Sequence, residues 1–88
     1  MSQPTEVTFI EVKETAMRMW WVINTDNNRY GYVTEKHKRI KDLENTVDNI
    51  MYIFSMFDTG NQVKLCSYLS ETTFVELMKI YNEWEQQE

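Results

Sequence analysis

Few side chains in this 88-residue sequence could do covalent chemistry. There is one cysteine, Cys66, and one histidine, His37. A nucleophile needs a base positioned to activate it, and these two are the only obvious pair. Cys66 sits amid Leu65 and Tyr68 and reads as a small packed residue. One His and one Cys do not make a zinc ligand set. Asp58-Thr59-Gly60 has the letters of an aspartic-protease motif, but it closes a helical pattern and reads as a cap and turn, with Gly60 as a left-handed stop. No P-loop or glycine-rich nucleotide fingerprint is present. The sequence therefore reads as a non-enzyme with no cofactor and no metal.

Charge offers a second kind of chemistry. Lys36, His37, Lys38, Arg39 and Lys41 bring four of the nine Lys and Arg residues into one short run. The run reads as preceding or opening a helix, where the macrodipole disfavours cations and a phosphate or acidic partner would compensate. The plainer reading is a solvated turn in which Glu35 pairs with Arg39 and Lys38 with Asp42. A net charge of −5 weighs against nucleic acid as the partner, since such binding needs many phosphates neutralised. Glu71, Glu76, Glu83, Glu85 and Glu88 face a single Lys79 near the end of the chain and read as a solvated helix exterior.

Contact chemistry is the third kind, and here the sequence is richer. Aromatics make up 14% of the residues, enough to supply more than a core. Trp20 and Trp21 are adjacent, and Tyr30 and Tyr32 follow across a polar gap. On a strand, neighbours point to opposite faces, so either both rings are buried or one indole lies on an exposed aromatic patch with Tyr30 or Tyr32. Trp and Tyr are enriched at the energetic centres of protein interfaces. In "NIMYIFSMF", Tyr52, Ile53 and Met56 fall outside the helical stripe that claims the core. They predict a homodimer interface, the commonest way to cover such a face.

The elements that must position these residues are read from local pattern. Residues 1–5 read as a flexible tail and 6–88 as one α+β domain. A chain of this length buries roughly 60–65% of its unfolded surface, enough for one modest core. "EVTFIEVK", "AMRMWWVI" and "RYGYVTE" are rich in β-branched and aromatic residues and read as an antiparallel β-meander, with "NTDNN" as a hairpin loop, although Ala16, Met17 and Arg18 in the second segment would also tolerate a helix. Ile40, Leu43, Val47, Ile50, Phe54 and Phe57 recur at helical spacing and predict one continuous amphipathic helix. "VKLCSYL" reads as a fourth strand. Ser70 reads as the N-cap of a second helix, with Leu69 and Phe74 placed for a hydrophobic staple and Phe74, Leu77, Met78, Tyr81 and Trp84 as its apolar stripe. The predicted order is βββ-α-β-α, a small antiparallel sheet packed with two helices, with no internal repeat.

The start, "MSQPTEVTF", shows neither the cationic nor the apolar segment of a secretion signal, and no run of 18 apolar residues could cross a membrane. One cysteine excludes an internal disulfide and fits a reducing compartment. The expected location is the cytoplasm.

In size, acidity, abundance of aromatics such as Trp20, Trp21, Tyr30 and Tyr32, and lack of an active site, the chain resembles the small proteins that bacteriophages encode to inhibit host defence or host enzymes. That resemblance implies an inhibitor acting by direct binding to another protein in the host cytoplasm. The alternatives are a nucleic-acid-binding regulator working through Lys36 to Lys41 and a structural subunit of a larger complex.

Overall fold

The structure, a computed structural model, describes residues 3–25 and 30–86. Five helices account for its regular structure: α1 (Glu6–Thr25), α2 (Tyr30–Lys41), α3 (Val47–Ser55), α4 (Thr59–Ser67) and α5 (Glu71–Gln86). No strand occurs among the described residues. The α+β expectation is therefore corrected to an all-helical bundle.

The two segments expected as the first two strands form the single helix α1. Phe9, Val12, Ala16 and Met19 recur at spacings of three and four, and all four are buried. Burying a large apolar side chain contributes about 1.5–3 kcal/mol, whereas a β-branched residue costs a helix less than about 1 kcal/mol relative to alanine. Packing thus overrides the local preference. The expected third strand belongs to α2, which buries Val33 and Ile40. "NTDNN" begins within the last turn of α1, and the rest of that loop lies outside the described residues.

The long helix expected over residues 40–57 is broken. α2 stops at Lys41, and Thr46 caps α3 by accepting from the Asn49 backbone N–H at 3.1 Å. Asn49 Nδ2 in turn donates to Glu44 O at 2.7 Å and closes the connecting loop. The apolar period survives the break, because Ile40, Val47, Ile50 and Phe57 are all buried. The expected fourth strand is α4. Asp58 is its N-cap and accepts from the Asn61 N–H at 2.9 Å, so Gly60 is an ordinary residue of the first turn and not a helix stop.

α1 is the central element and packs on each of the other four helices. Its partner α2 runs back along it: Lys13 Nζ donates to Lys41 O at 2.7 Å, and His37 Nε2 lies 2.6 Å from Met17 O. The core cluster combines Phe9, Val12, Ala16 and Met19 with Ile40, Ile50, Ile53, Phe57, Leu65 and Leu77. Of residues 1–5, read from the sequence as a tail, the first two lie outside the described residues; Pro4 is buried and its carbonyl accepts from Asn45 Nδ2 at 2.8 Å. Thr5 is also tied down, through hydrogen bonds to Glu76.

Ile53 is the main correction among the expected interface residues. It is 0% exposed and lies in the core cluster, because three residues after Ile50 and four before Phe57 it shares their buried helical face. We expect Ile53→Ala to lower the unfolding free energy by about 2–5 kcal/mol and Ile53→Asp to leave no folded state. Urea denaturation followed by circular dichroism measures both. A folded, monomeric Ile53→Asp protein would contradict this packing.

Candidate functional site

α1 and α5 are held together by two carboxylates that each reach across to cap the other helix. Thr5 is the cap of α1: its Oγ1 accepts from the Thr8 N–H at 3.3 Å. Glu76 of α5 accepts from the Thr5 N–H at 3.1 Å, from Thr5 Oγ1 at 2.9 Å and from Thr8 Oγ1. Ser70 caps α5 in the same way, accepting from the Thr73 N–H at 3.3 Å. Glu11 of α1 then accepts from the Ser70 N–H at 2.7 Å, from Ser70 Oγ at 3.1 Å and from Thr73 Oγ1. Each bond on one side has its counterpart on the other. The pair is antiparallel and locally two-fold.

The sequence carries this symmetry as a repeat that the pattern of apolar residues does not reveal. "TEVTFIE", residues 5–11, and "SETTFVE", residues 70–76, share the cap, the Thr three residues on, the Phe after it and the Glu six residues on. The signal was the polar spacing, which no strand reading of residues 6–13 could use.

These caps fix which face α5 turns outward. Thr73, Leu77 and Ile80 are buried. About 100° per residue places Phe74, Met78 and Tyr81 on the adjoining strip, where they are 39%, 46% and 45% exposed. Five residues expected as one core stripe thus divide into two: Leu77 goes inward, Trp84 is half-buried, and the other three face solvent. The Tyr81 and Trp84 rings lie 6.3 Å apart. Glu71 and Glu85 are exposed at the two ends of the strip. The result is an acidic-ended apolar face on a rigid helix.

The adjacent tryptophans separate as neighbours on a helix must. Trp20 packs against the core with its ring 5.5 Å from that of Phe57. Trp21 is 47% exposed and leans on His37 at 6.4 Å between ring centroids. The side chains of Tyr30 and Tyr32 lie outside the described residues. Tyr52 and Met56 are half-buried, and without Ile53 they form no outward cluster of three.

The basic run closes α2 instead of opening a helix. Lys38, Arg39 and Lys41 fall in its last turn, where the macrodipole favours them, so the expected conflict at a helix start does not arise. His37 is turned to the Met17 carbonyl, and Arg39 pairs with Glu35 at 3.4 Å and also reaches Tyr52. Lys36 is half-buried. Burial raises the Cys66 thiol above its usual pKa, which opposes a nucleophilic role. Among the described residues no three His, Cys, Asp or Glu side chains are grouped to hold a metal ion, and no helix is long and apolar enough to cross a membrane.

Compared with protein-family models, curated proteins and solved structures, the chain matches none.

Both capping carboxyls sit below the ordinary glutamate pKa. For Glu11 the Thr73 hydroxyl and the Ser70 backbone N–H favour the ionised form over the opposing effect of burial. For Glu76 burial is the largest single influence and acts upward, but the hydrogen bonds from Thr8 and Thr5, with the Lys79 charge, together outweigh it. A carboxyl whose pKa is lowered by folding contributes stability that is complete above its unfolded pKa of about 4.3. That stability is lost as pH falls through the lower, folded value. We expect the urea midpoint to drop between about pH 5 and pH 3, and Glu11→Gln with Glu76→Gln to flatten the drop. At pH 7 each single change should cost about 1–2 kcal/mol. An unchanged pH profile in the double variant would show that the caps do not carry the acid response.

Proposed function

We propose that this chain is a small protein-binding module that acts by covering part of another protein's surface. The observation that carries the reading is the strip of Phe74, Met78 and Tyr81. α5 has already buried its core face, and these three large side chains remain outside it. Aromatic and Met side chains are over-represented at such contact surfaces because they bring large area and adaptable packing. The strip stands on a helix fixed at its start by the Glu11 cap, so little ordering is needed on binding.

Inhibition of the bound protein is the mode of action this supports. A small domain that seats an exposed apolar strip on its partner blocks what it covers. The general likeness to phage-encoded inhibitors points the same way. Cytoplasmic action belongs to the same proposal.

The nucleic-acid reading loses its main support, because the cations of α2 are placed favourably at a helix C-terminus and need no phosphate there. The homodimer through α3 loses Ile53, its central residue.

The test compares two variants in affinity capture from the native cell. Phe74→Ser with Tyr81→Ser should lose a specific protein that the wild type retains. Lys36→Gln, Lys38→Gln and Lys41→Gln should keep it. Because Phe74 and Tyr81 are exposed, the first variant should show an unchanged circular dichroism spectrum. Captured nucleic acid that weakens steeply with added salt, and is lost with the Lys-to-Gln changes, would overturn the reading in favour of a nucleic-acid regulator.

A further inference from the structure

The local two-fold relation between α1 and α5 does not extend to what covers them. Aligned through their caps, Phe9 corresponds to Phe74, Lys13 to Met78, Met17 to Asn82 and Trp20 to Glu85. On α1 this strip is covered. α2 lies antiparallel along it, with Lys13 on the carbonyls of Lys41 and Leu43 and His37 on that of Met17. Phe9, one turn before Lys13, is buried in the core cluster. On α5 the corresponding Phe74, Met78, Asn82 and Glu85 are all exposed.

Building on the protein-binding reading, we infer that the open side of α5 is a berth for one basic, amphipathic helix of a partner protein, lying antiparallel to α5 as α2 lies along α1. The shape follows from the repeat: the same capped helix already accepts a helix at this position on its other copy. The charge follows from the ends of the strip. Glu71 and Glu85 stand about 21 Å apart along the helix axis, four turns, and Lys79 falls on a different face. A partner helix of similar length would set Lys or Arg near both ends and apolar residues between them, the groove mode of helix recognition.

A second copy of this chain fits poorly. Two α5 helices packed antiparallel across this strip would bring Glu71 of one near Glu85 of the other, at both ends, with like charges opposed. The basic helix α2 offers no alternative. Its described exposed positions are Gly31, Thr34, Glu35, Lys38, Arg39 and Lys41, with no apolar side chain to meet Phe74 or Met78.

The probe is a fluorescent peptide of about 18 residues, long enough to span the strip, with Leu at i, i+3, i+4 and i+7 and Lys on the remaining face. A matched peptide carries Glu in place of Lys. Anisotropy should show binding of the Lys peptide and none of the Glu peptide. Met78→Asp should abolish binding, and Glu71→Gln with Glu85→Gln should weaken it about tenfold at low salt. Methyl NMR should move Met78 and leave the buried Met19 in place. Circular dichroism checks that each variant is folded. Equal binding of both peptides, or an unmoved Met78 methyl, would overturn the inference. So would a wild-type dimer in sedimentation that Met78→Asp dissociates, since a second copy would then fill the berth. If a cellular protein is captured through Phe74 and Tyr81 but presents no basic helix, this inference fails and the protein-binding reading stands. If the Lys peptide binds at Met78 and the cell yields no protein partner, the reverse holds.

Discussion

The exchange of carboxylates between α1 and α5 is the constraint on which the rest of the structure depends. A helix start leaves its first N–H groups without partners, and an uncapped end is costly when part-buried. Here each helix supplies its own hydroxyl cap and also receives a carboxylate from the other. The charge is well placed twice over, because an anion at a helix N-terminus also meets the positive end of the macrodipole. Since Glu11 and Glu76 lie six residues beyond the caps of their own helices, both exchanges close only in one antiparallel register. Sliding one helix by a turn would break both. The first and last parts of the chain are thereby locked together before any apolar side chain is counted.

That lock explains how a duplicated segment can carry unlike roles. Phe9 and Phe74 occupy the same position after their caps, yet one is buried and the other faces solvent. The difference lies in the next element along the chain. α1 leads into α2, which folds back on it, while α5 ends the described chain. The composition tracks the difference. Where α1 has Met17 beside α2 and Trp20 against the core, α5 has Asn82 and Glu85, residues that tolerate water. Yet Met78 stands where α1 has Lys13, and on the open side the apolar residue is the one that needs a reason.

Part of this was legible in the sequence. Of the helical period from Ile40 to Phe57, the structure buries Ile40, Val47, Ile50 and Phe57 and half-buries Leu43 and Phe54, and Ser70 was recognisable as a cap. The interruption between residues 42 and 46 was not, because Thr46 and Asn49 act through backbone bonds that leave the apolar spacing intact. The meander failed for a different reason. Val7, Ile10, Val22 and Ile23 have strand character, but they are the exposed residues of α1; the buried ones, Phe9, Val12, Ala16 and Met19, already had the helical period. Weighing residue type above spacing gave the wrong element, and with it the wrong expectation of why Trp20 and Trp21 diverge. The repeat was hidden because its signature is polar and its two copies lie at opposite ends of the chain.

Charge placement ties the fold to the proposed surface. The cations of α2 cluster in its last turn and the acids of α5 include Glu71 in its first, so both ends are electrostatically satisfied where they stand. Glu83 and Glu85 are different. They lie near the C-terminal end of α5, where the macrodipole disfavours anions, and no basic residue occupies that last turn. Glu76, by contrast, is bound to the cap of α1 and is unavailable to a partner. Of the two carboxylates left for an incoming cation at the ends of the strip, Glu85 is the one that the isolated helix holds unfavourably. A bound cation at Glu85 would relieve an unfavourable charge and gain an ion pair together, beside an apolar strip that excludes water from one side of it. Charge at the end of the strip thus selects the sign of the partner, while Phe74, Met78 and Tyr81 supply the area that holds it.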